Sequence, residues 1–418
     1  MVSVCFYFQV HQPFRLRKFR IFDIGKDISY FDDEQNKQIL NKIANKCYLP
    51  TTELLLKLLK HYDRFKVSFS LSGVVLEQFQ SYAPELIERF RELLKTGKVE
   101  LISETYYHSL SFIYSKPEFI RQIYLHKKLI KELFGVEAKV FRNTELIYND
   151  ELANLISSLG YIGLMAEGAD KVLGWRSPNF VYNPPRLQKL KLLLKNYRLS
   201  DDIAFRFSNR CWKEFPLTSS KFASWINQIN GNGELVNLFM DFETFGEHQW
   251  KETGIFEFLE ALPGEILKHH DNTFVTPSEA IRRFPSKGVF SSKEIVSWAD
   301  VERDISAWVG NNLQKSAVEY LYEIENEVLS TKDNKIIEDW RKLQTSDHFY
   351  YMCTKWFNDG DVHKYFNPYD SPYDAYINFM NILNDLILRV EKANRKKISS
   401  PKATEFKLNI TKRGEIYG

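Results

Sequence analysis

The segment LVNLFMDFETFGEHQW, residues 235–250, combines an apolar run with a cluster of charged side chains. The run at its start is typical of a β-strand that is buried on both faces. Its second half carries Asp241, Glu243, Glu247 and His248 within eight positions, followed by Trp250. A buried strand that ends in acidic side chains is how many α/β enzymes present a catalytic carboxylate. The alternative interpretation is a solvated loop after a core strand.

Strand and helix patterns alternate around this segment, about seven times along the first two thirds of the chain. Strands are predicted at residues 2–9, 67–71, 99–103, 138–141, 161–166, 190–194, 235–240 and 273–275, with a further β-like run at 202–207. Alternation of this length predicts an α/β fold with a parallel sheet that is closed, or nearly closed, into a barrel. An open doubly wound sheet is the alternative, although no GxGxxG motif follows the first strand.

The pattern changes after about residue 286, where strand signals disappear. Helices are predicted at residues 291–311, 315–329, 334–345 and 372–397. We therefore predict a barrel domain at residues 1–285, an α-helical bundle domain packed on it at residues 286–395, and a basic C-terminal tail at residues 396–418. Residues 406–410 of the tail resemble a short strand.

Composition excludes several classes of protein. The 418 residues include 57 basic and 54 acidic side chains, so the net charge of +3 shows no nucleic-acid-binding footprint. Aromatic residues reach 15%, which permits sugar stacking, although an aromatic core accounts for most of them. The four cysteines are scattered without metal-binding spacing. The N-terminal residues are typical of a strand, so we expect no leader, and no apolar run reaches membrane-spanning length. We expect a cytoplasmic protein with reduced thiols and no membrane partner.

Polar side chains follow four of the predicted strands at their C-terminal ends. His11 follows the first strand, Glu104 and His108 the third, Glu145 the fourth, and Asp241 the strand at residues 235–240. In a parallel barrel these ends share one face, where active sites lie. Each residue alone has an ordinary structural explanation, but their convergence on one rim favours a site. Glu145 and Asp241 form the best carboxylate pair, because each closely follows an apolar strand.

Two chemistries fit these residues. Two carboxylates about 5 Å apart would act as nucleophile and acid/base in a retaining glycosidase, and the acid would need a raised pKa. The alternative is a metal-dependent hydrolase, with His11, His108, Asp241 and His248 as ligands and Glu145 as base. The residue types permit a metal site, but no HExxH or HxH spacing demands one.

Five separated motifs together resemble the signature regions of glycoside hydrolase family 57, in the branch with α-amylase and glucanotransferase members. They are HQP at residues 11–13, ETYYH at 104–108, FRNTE at 141–145, DFETFGEH at 241–248 and SWADVERDISAW at 297–308. The third and fourth motifs together are specific to this family. The resemblance implies an incomplete (β/α)7 barrel followed by a helical domain that closes over the cleft.

The resemblance also assigns roles within the carboxylate pair. It implies Glu145 as nucleophile and Asp241 as acid/base of a retaining enzyme that acts on α-1,4-glucans without a cofactor or catalytic metal. Some family members have HxHxP in the first motif, and Gln9 here replaces the first histidine. Glu243, Glu247 and His248 are interpreted as supports for Asp241.

Candidate substrate-binding residues come from both predicted domains. His11 and His108 are expected to hydrogen-bond the sugar, tryptophans to stack on it, and Asp300 to reach in from the helical domain. Asp347 and His348 are expected to line the cleft, with helix capping as the alternative. Trp308 is a further stacking candidate, with core packing as the equal alternative for each tryptophan. The candidate residues are His11, Glu104, His108, Trp250, Trp298, Asp300, Asp347 and His348.

The expected enzyme is therefore an α-amylase-type hydrolase of starch, glycogen or maltodextrin. A 4-α-glucanotransferase or branching-type transglycosylase is the near alternative, since it differs only in whether water or a sugar hydroxyl intercepts the intermediate. A non-catalytic glucan-binding protein is disfavoured because both catalytic positions are occupied.

Overall fold

The fold is known from a computed structural model, which describes residues 2–355 and 367–399. Within these residues the strands are β1 (Ser3–Val10), β2 (Val67–Leu71), β3 (Val99–Leu101), β4 (Val140–Arg142), β5 (Gly163–Glu167), β6 (Val181–Tyr182), β7 (Lys191–Lys195), β8 (Leu235–Asp241) and β9 (Thr273–Phe274). All of the eight predicted strand positions hold a strand.

The strands form one curved, mainly parallel sheet in the order β3-β2-β1-β8-β7-β5-β4. β6 adds to β7 in the antiparallel direction and β9 adds to β1, while β7 meets β8 at the pair Lys195 and Asn237. The two outer strands approach each other just beyond β3. There the Ser103 amide donates to the Val140 carbonyl at 3.0 Å, and the Arg142 amide donates to the Ser103 carbonyl at 2.8 Å. The expected incomplete (β/α)7 barrel is confirmed.

Side-chain alternation along the strands separates the barrel interior from the outer layer of helices. Every residue of β1 is buried. Its Tyr7 packs inside the barrel against Phe239 of β8, with ring centroids 5.4 Å apart. The neighbouring Phe6 and Phe8 instead belong to the apolar layer beneath the helices. The residue two places after the last interior residue of a strand therefore faces the mouth of the barrel.

The helices surround the sheet and continue beyond it. They are α1 (Asp33–Ile43), α2 (Leu49–His61), α3 (Gly73–Tyr82), α4 (Glu85–Lys95), α5 (Ser111–Tyr114), α6 (Lys116–Phe134), α7 (Asp150–Ser158), α8 (Asp170–Leu173), α9 (Tyr197–Ala204), α10 (Ser219–Gln228), α11 (Ile255–Leu267), α12 (Pro277–Arg283), α13 (Ser306–Val309), α14 (Asn312–Glu323), α15 (Glu325–Thr331), α16 (Asn334–Lys342), α17 (Ser346–Tyr350) and α18 (Pro372–Ser399). A π-helical turn, Ala44–Tyr48, joins α1 to α2. No helix among the described residues is both long and apolar enough to cross a membrane.

The helices after β9 pack on the barrel through a shared core. Trp308, Trp340 and Phe379 belong to the same hydrophobic cluster as Phe141 of β4 and Leu152 of α7. In the described part of the chain no strand follows β9, as the sequence predicted. The domain limits at residues 285 and 395 stay predictions. Helix α18 runs to Ser399, and the rest of the predicted tail, including residues 406–410, lies outside the described residues.

Two elements differ from their predictions. The first half of the β-like run at residues 202–207 lies in α9, and no strand forms there. Helix α9 begins at an Asn196 cap that accepts a hydrogen bond from the Leu199 amide at 3.1 Å. Its apolar residues Leu199 and Ile203 are four positions apart, which is a helical spacing. A proline inside a helix is expected to interrupt it, but α11 continues through Pro263.

The helix predicted at residues 291–311 is mostly irregular, and only α13 is helical there. Its backbone is occupied elsewhere: the amide of Val296 donates to the carbonyl of Tyr148 at 2.9 Å, and the reverse bond has the same length. Asp300 and Arg303 have positive φ angles of 48° and 50°, which a helix does not allow. Pairing with the barrel rim therefore overrides the helical pattern.

Candidate active site

One cavity opens at the C-terminal end of the barrel strands and collects most of the predicted site residues. The barrel side of the wall comes from β1, the segments after β3 and β4, and the end of β8, and the other side comes from the helical part. The candidate residues named in the sequence analysis that line the cavity are His11, His108, Glu145, Asp241, Glu243, His248, Trp298, Asp300, Trp308 and Asp347. The two predicted catalytic carboxylates therefore face the same space.

The position of Asp241 follows from the pleat of β8. Phe239 points into the barrel, so Asp241, two residues later, points into the mouth above it. Gln9 lies opposite Asp241 in the neighbouring strand and lines the same cavity. The apolar strand thus delivers its terminal carboxylate to the cavity because of simple alternation.

Glu145 occupies an unusual backbone conformation directly after β4. Its φ and ψ are 57° and 27°, and Leu146 also has a positive φ of 51°. Such angles are uncommon for residues other than glycine, and they cluster at functional sites. The Trp298 amide donates to the Glu145 carbonyl at 3.2 Å, which holds this turn against the segment that follows β9. The Glu145 carboxylate is therefore presented from a fixed backbone.

Three side chains hold the Glu145 carboxylate. The indole Nε1 of Trp298 donates to Oε2 at 2.6 Å. The Nε2 of His108 lies 3.2 Å from Oε1, and the Ser346 hydroxyl lies 3.4 Å from the same oxygen. Bonds from donors to a carboxylate are stronger than neutral ones and favour its charged form. These contacts orient the carboxylate.

His108 is the cation of the site. Burial lowers its pKa, but hydrogen bonds to Glu104 and Glu145 outweigh burial and raise the pKa to about 9. Its Nδ1 lies 3.0 Å from Glu104 Oε2. Burial raises the pKa of Glu104, but the hydrogen bond and charge of His108 bring it down to about 2. At neutral pH the His108 imidazolium therefore bridges two carboxylates. The backbone of His108 has a positive φ of 49°.

Gln9 has a defined task in this network. Its Nε2 donates to Glu104 Oε1 at 3.0 Å, and its Oε1 accepts from the Ser70 hydroxyl at 2.8 Å and the Tyr7 hydroxyl at 2.9 Å. Some family members have a histidine at the position of Gln9. In this protein Gln9 instead orients the Glu104 carboxylate, which lies behind His108.

His11 complements His108 as a neutral ring. The two rings stack with centroids 4.0 Å apart and 21° between their planes. Burial and the positive charge of His108 lower the pKa of His11. Its Nε2 lies 2.9 Å from Asp347 Oδ2 in the helical part, and its Nδ1 lies 2.8 Å from the Ser72 hydroxyl. A neutral ring with Nε2–H satisfies both contacts, because it donates to Asp347 and accepts from Ser72.

Glu243, beside Asp241, is held in its protonated form. Burial and the charge of Asp241 raise the pKa of Glu243 to about 8. Its Oε1 accepts from the Tyr48 hydroxyl and from Gln12 Nε2, the latter at 3.2 Å. A protonated Glu243 places no second negative charge beside Asp241 at neutral pH.

The loop that follows Asp241 is anchored on α1 and the π-helical turn. Lys42 and Lys46 place their Nζ atoms 2.9 and 3.9 Å from the buried Glu247 carboxylate. Gly246 has a φ of 113°, and a Cβ atom there would lie 2.0 Å from the Lys46 carbonyl oxygen. Glycine is therefore required at this position for the loop to pack.

Three predicted substrate-binding residues lie outside the cavity wall. Glu104 is buried behind His108, and His348 is buried against Phe379, where burial lowers its pKa to about 4. Trp250 is 54% exposed on the outer rim, with the Lys46 ammonium 5.5 Å from its ring centre.

The sequence interpretation missed several residues of the cavity wall. Lys195 and Asp201 form an ion pair of 2.9 Å on it. Lys195 lies two places after the interior residue Leu193 of β7, so strand alternation was the available signal. Further wall residues that were not proposed as site residues are Gln12, Arg15, Phe205, Met240, Thr244 and Tyr350.

The donor set does not favour the metal alternative. Both ring nitrogens of His11 and both of His108 are already within hydrogen-bond distance of other side chains. Stacked rings also do not converge their in-plane nitrogens on one point. Among the described residues, a cluster of three possible ligand atoms within 4.8 Å occurs at His269, His270 and Asp271, none of which lines this cavity.

An incomplete barrel with two carboxylates, an imidazolium and an indole donor at its C-terminal rim has the architecture of a glycoside hydrolase. The family model of glycosyl hydrolase family 57 matches residues 5–296. A relative from Methanocaldococcus jannaschii, named "Putative alpha-amylase", is 48% identical over 395 residues, which cover 91% of this chain and 83% of that protein. The chain belongs to glycosyl hydrolase family 57 and is a glycoside hydrolase.

Solved structures agree on the fold. A branching enzyme from Pyrococcus horikoshii aligns with a TM-score of 0.68 at 15% identity, over 94% of this chain and 91% of that chain. A 4-alpha-glucanotransferase from Thermococcus litoralis aligns with a TM-score of 0.61 at 16% identity, over 83% of this chain. The alignment covers 56% of the Thermococcus chain, which is therefore considerably longer. At these identities the likeness concerns the fold alone.

Proposed function

We propose that this enzyme cleaves α-1,4-glucans with retention of configuration, with Glu145 as nucleophile and Asp241 as acid/base. The observation that carries the proposal is the shared cavity of Glu145 and Asp241, in which Glu145 is held by His108 and Trp298. The name of the Methanocaldococcus relative, "Putative alpha-amylase", supports an α-glucan substrate. Cysteine spacing that favours reduced thiols supports a cytoplasmic location.

In the first step a Glu145 oxygen forms a bond to the anomeric carbon. The bond from that carbon to the leaving glycosidic oxygen breaks, and its electron pair goes to the oxygen, which takes the proton of Asp241. Asp241 must therefore bind a proton before the step. Hydrogen bonds from His108 and Trp298 hold Glu145 in position for the attack, and donors to a carboxylate favour its charged form.

In the second step Asp241 accepts a proton from water while the water oxygen bonds to the anomeric carbon. The bond to Glu145 breaks, and its electron pair returns to the carboxylate. A sugar hydroxyl in place of water gives transglycosylation by the same route. A 4-alpha-glucanotransferase activity is therefore the second candidate, because it differs only in what intercepts the glycosyl enzyme.

Incubation of the wild-type enzyme with maltoheptaose tests the proposal. Hydrolysis predicts shorter products that are first released as the α-anomer, which NMR can follow. Products longer than the input would instead establish transfer as the main reaction. Glu145→Gln should abolish turnover, whereas the surface variant Glu137→Gln, which loses only an exposed ion pair with Lys131, should retain it. Full turnover by Glu145→Gln, or release of the β-anomer, would refute the mechanism.

A further inference from the structure

Trp298 was predicted to stack on sugar, but its indole makes a different contact. Its N–H donates to Glu145 Oε2 at 2.6 Å, a shorter distance than either contact to Oε1. The Trp298 amide bonds the Glu145 carbonyl, and its own carbonyl accepts from Arg303 Nη1 at 2.5 Å. Both ends of the residue are thus tied in a geometry that aims the N–H at the carboxylate.

Two buried cations lie over the Trp298 ring. The Arg142 guanidinium is 4.8 Å and the Lys195 ammonium 5.1 Å from the ring centre. Arg142 is 0% exposed, and none of its three side-chain nitrogens hydrogen-bonds another protein atom. Burying a guanidinium charge without hydrogen bonds is costly. We therefore expect Arg142 to have a function at the Trp298 ring. Cations over the ring withdraw electron density from it, which makes the N–H a stronger donor.

We propose that Trp298 is a catalytic hydrogen-bond donor to the Glu145 carboxylate, and that Arg142 is a positioning residue that acts through the Trp298 ring. The proposal rests on the nucleophilic role of Glu145 given above. A residue that only stacks on sugar would not donate a hydrogen bond to the nucleophile.

The donor affects the two chemical steps differently. When Glu145 attacks, its negative charge disperses into the new bond, and the N–H contact weakens. When that bond breaks, the electron pair returns to the carboxylate, and the N–H contact strengthens. An interaction that strengthens in a transition state accelerates that step. Trp298 therefore speeds release of the glycosyl group from Glu145 more than its capture.

α-Maltotriosyl fluoride separates the two steps, because fluoride leaves without help from an acid. For Trp298→Phe we expect a retained burst of fluoride, followed by a steady rate about ten- to a hundredfold lower than in the wild type. The acid limb of the kcat/KM–pH profile should also move to higher pH by about one unit, since the charged carboxylate loses a donor. β-(3-Benzothienyl)alanine at position 298 keeps the bicyclic shape without the N–H and should reproduce both effects.

Trp308→Phe is the matched control. Trp308 is a buried indole in the same cavity wall, but its N–H hydrogen-bonds no other protein atom. Trp308→Phe should therefore leave the acid limb of the kcat/KM–pH profile unchanged. Arg142→Lys keeps a cation but loses the flat guanidinium, and it should move the acid limb in the same direction as Trp298→Phe by a smaller amount.

The outcomes separate this inference from the proposed function. An active wild type with an unchanged acid limb and an unchanged burst-to-steady ratio in both position-298 variants would overturn the inference. An acid limb that does not move in Arg142→Lys would overturn the role of Arg142. A wild type that releases no fluoride and cleaves no glucan would instead overturn the proposed function.

Discussion

Replacement of His108 by glutamine removes the cation that bridges Glu104 and Glu145 and keeps a side chain of similar length. The lost contacts are 3.0 Å to Glu104 and 3.2 Å to Glu145. Because all three groups are buried, water screens them little. The substitution therefore tests whether this buried charge network stabilises the enzyme.

The size of the effect follows from the pKa of His108. Its contacts raise the pKa from 6.5 to about 9 against the opposing effect of burial. At about 1.4 kcal/mol per pKa unit, this shift corresponds to roughly 3 kcal/mol of folding free energy. The lowered pKa of Glu104, about 2 rather than 4.5, largely reports the same ion pair, so the two contributions are not added.

The sign of the pH dependence is fixed by the direction of each shift. A raised folded-state pKa means that the stabilisation from His108 is fully present below pH 6.5 and is lost as the pH rises through 9. A lowered folded-state pKa means that the stabilisation from Glu104 is present above pH 4.5 and is lost as the pH falls through 2. The pair therefore stabilises the fold most between pH 4.5 and 6.5.

Urea unfolding of the wild type and of His108→Gln across pH 6.5 to 9 measures the effect. The difference in unfolding free energy should narrow by about 3 kcal/mol as the pH rises over this range. His270→Gln is the control, because its side chain is 89% exposed and outside the network. A difference between wild type and His108→Gln that stays constant over this range would refute the assignment of His108 as the buried cation.

Two further comparisons test the site. Asp241→Asn should lower kcat/KM on maltoheptaose by more than about a hundredfold, because it removes the acid/base. Glu243→Gln replaces a protonated carboxyl group by an amide and should lower kcat/KM by less than about tenfold. Equal losses in the two variants would contradict the division of roles. Gly246→Ala should lower the unfolding free energy by roughly 3 kcal/mol, because its Cβ would meet the Lys46 carbonyl at 2.0 Å. Gly97→Ala, with a φ of 70° and open space around the Cβ, should cost only about 1 kcal/mol, and a similar loss at both glycines in urea unfolding would contradict the packing argument.

The barrel and the positions of Glu145 and Asp241 could be predicted because they depend on local patterns. Each carboxylate closely follows a short apolar run, and parallel strands bring such residues to one rim. Strand alternation could also have identified two further residues near the site. Arg142 and Lys195 lie two residues after the interior residues Val140 and Leu193, so the pleat places both in the barrel mouth.

Other features depend on contacts that the sequence does not display. The charge of His108 arises from burial between Glu104 and Glu145, which only the folded chain brings together. Trp298 could be recognised as a site residue, but an indole offers both a face and an N–H, and its neighbours decide which one is used. The irregular course of residues 291–311 likewise follows from pairing with the barrel rim at Tyr148.

Covalent trapping of the nucleophile tests the central claim most directly. A 5-fluoro-α-maltosyl fluoride would react in the first step and resist the second, so the glycosyl enzyme accumulates and can be digested for peptide mass spectrometry. The account predicts the sugar on the peptide that contains Glu145, attached through its carboxylate. A label on Asp241 or Glu243, or turnover without any covalent intermediate, would contradict it.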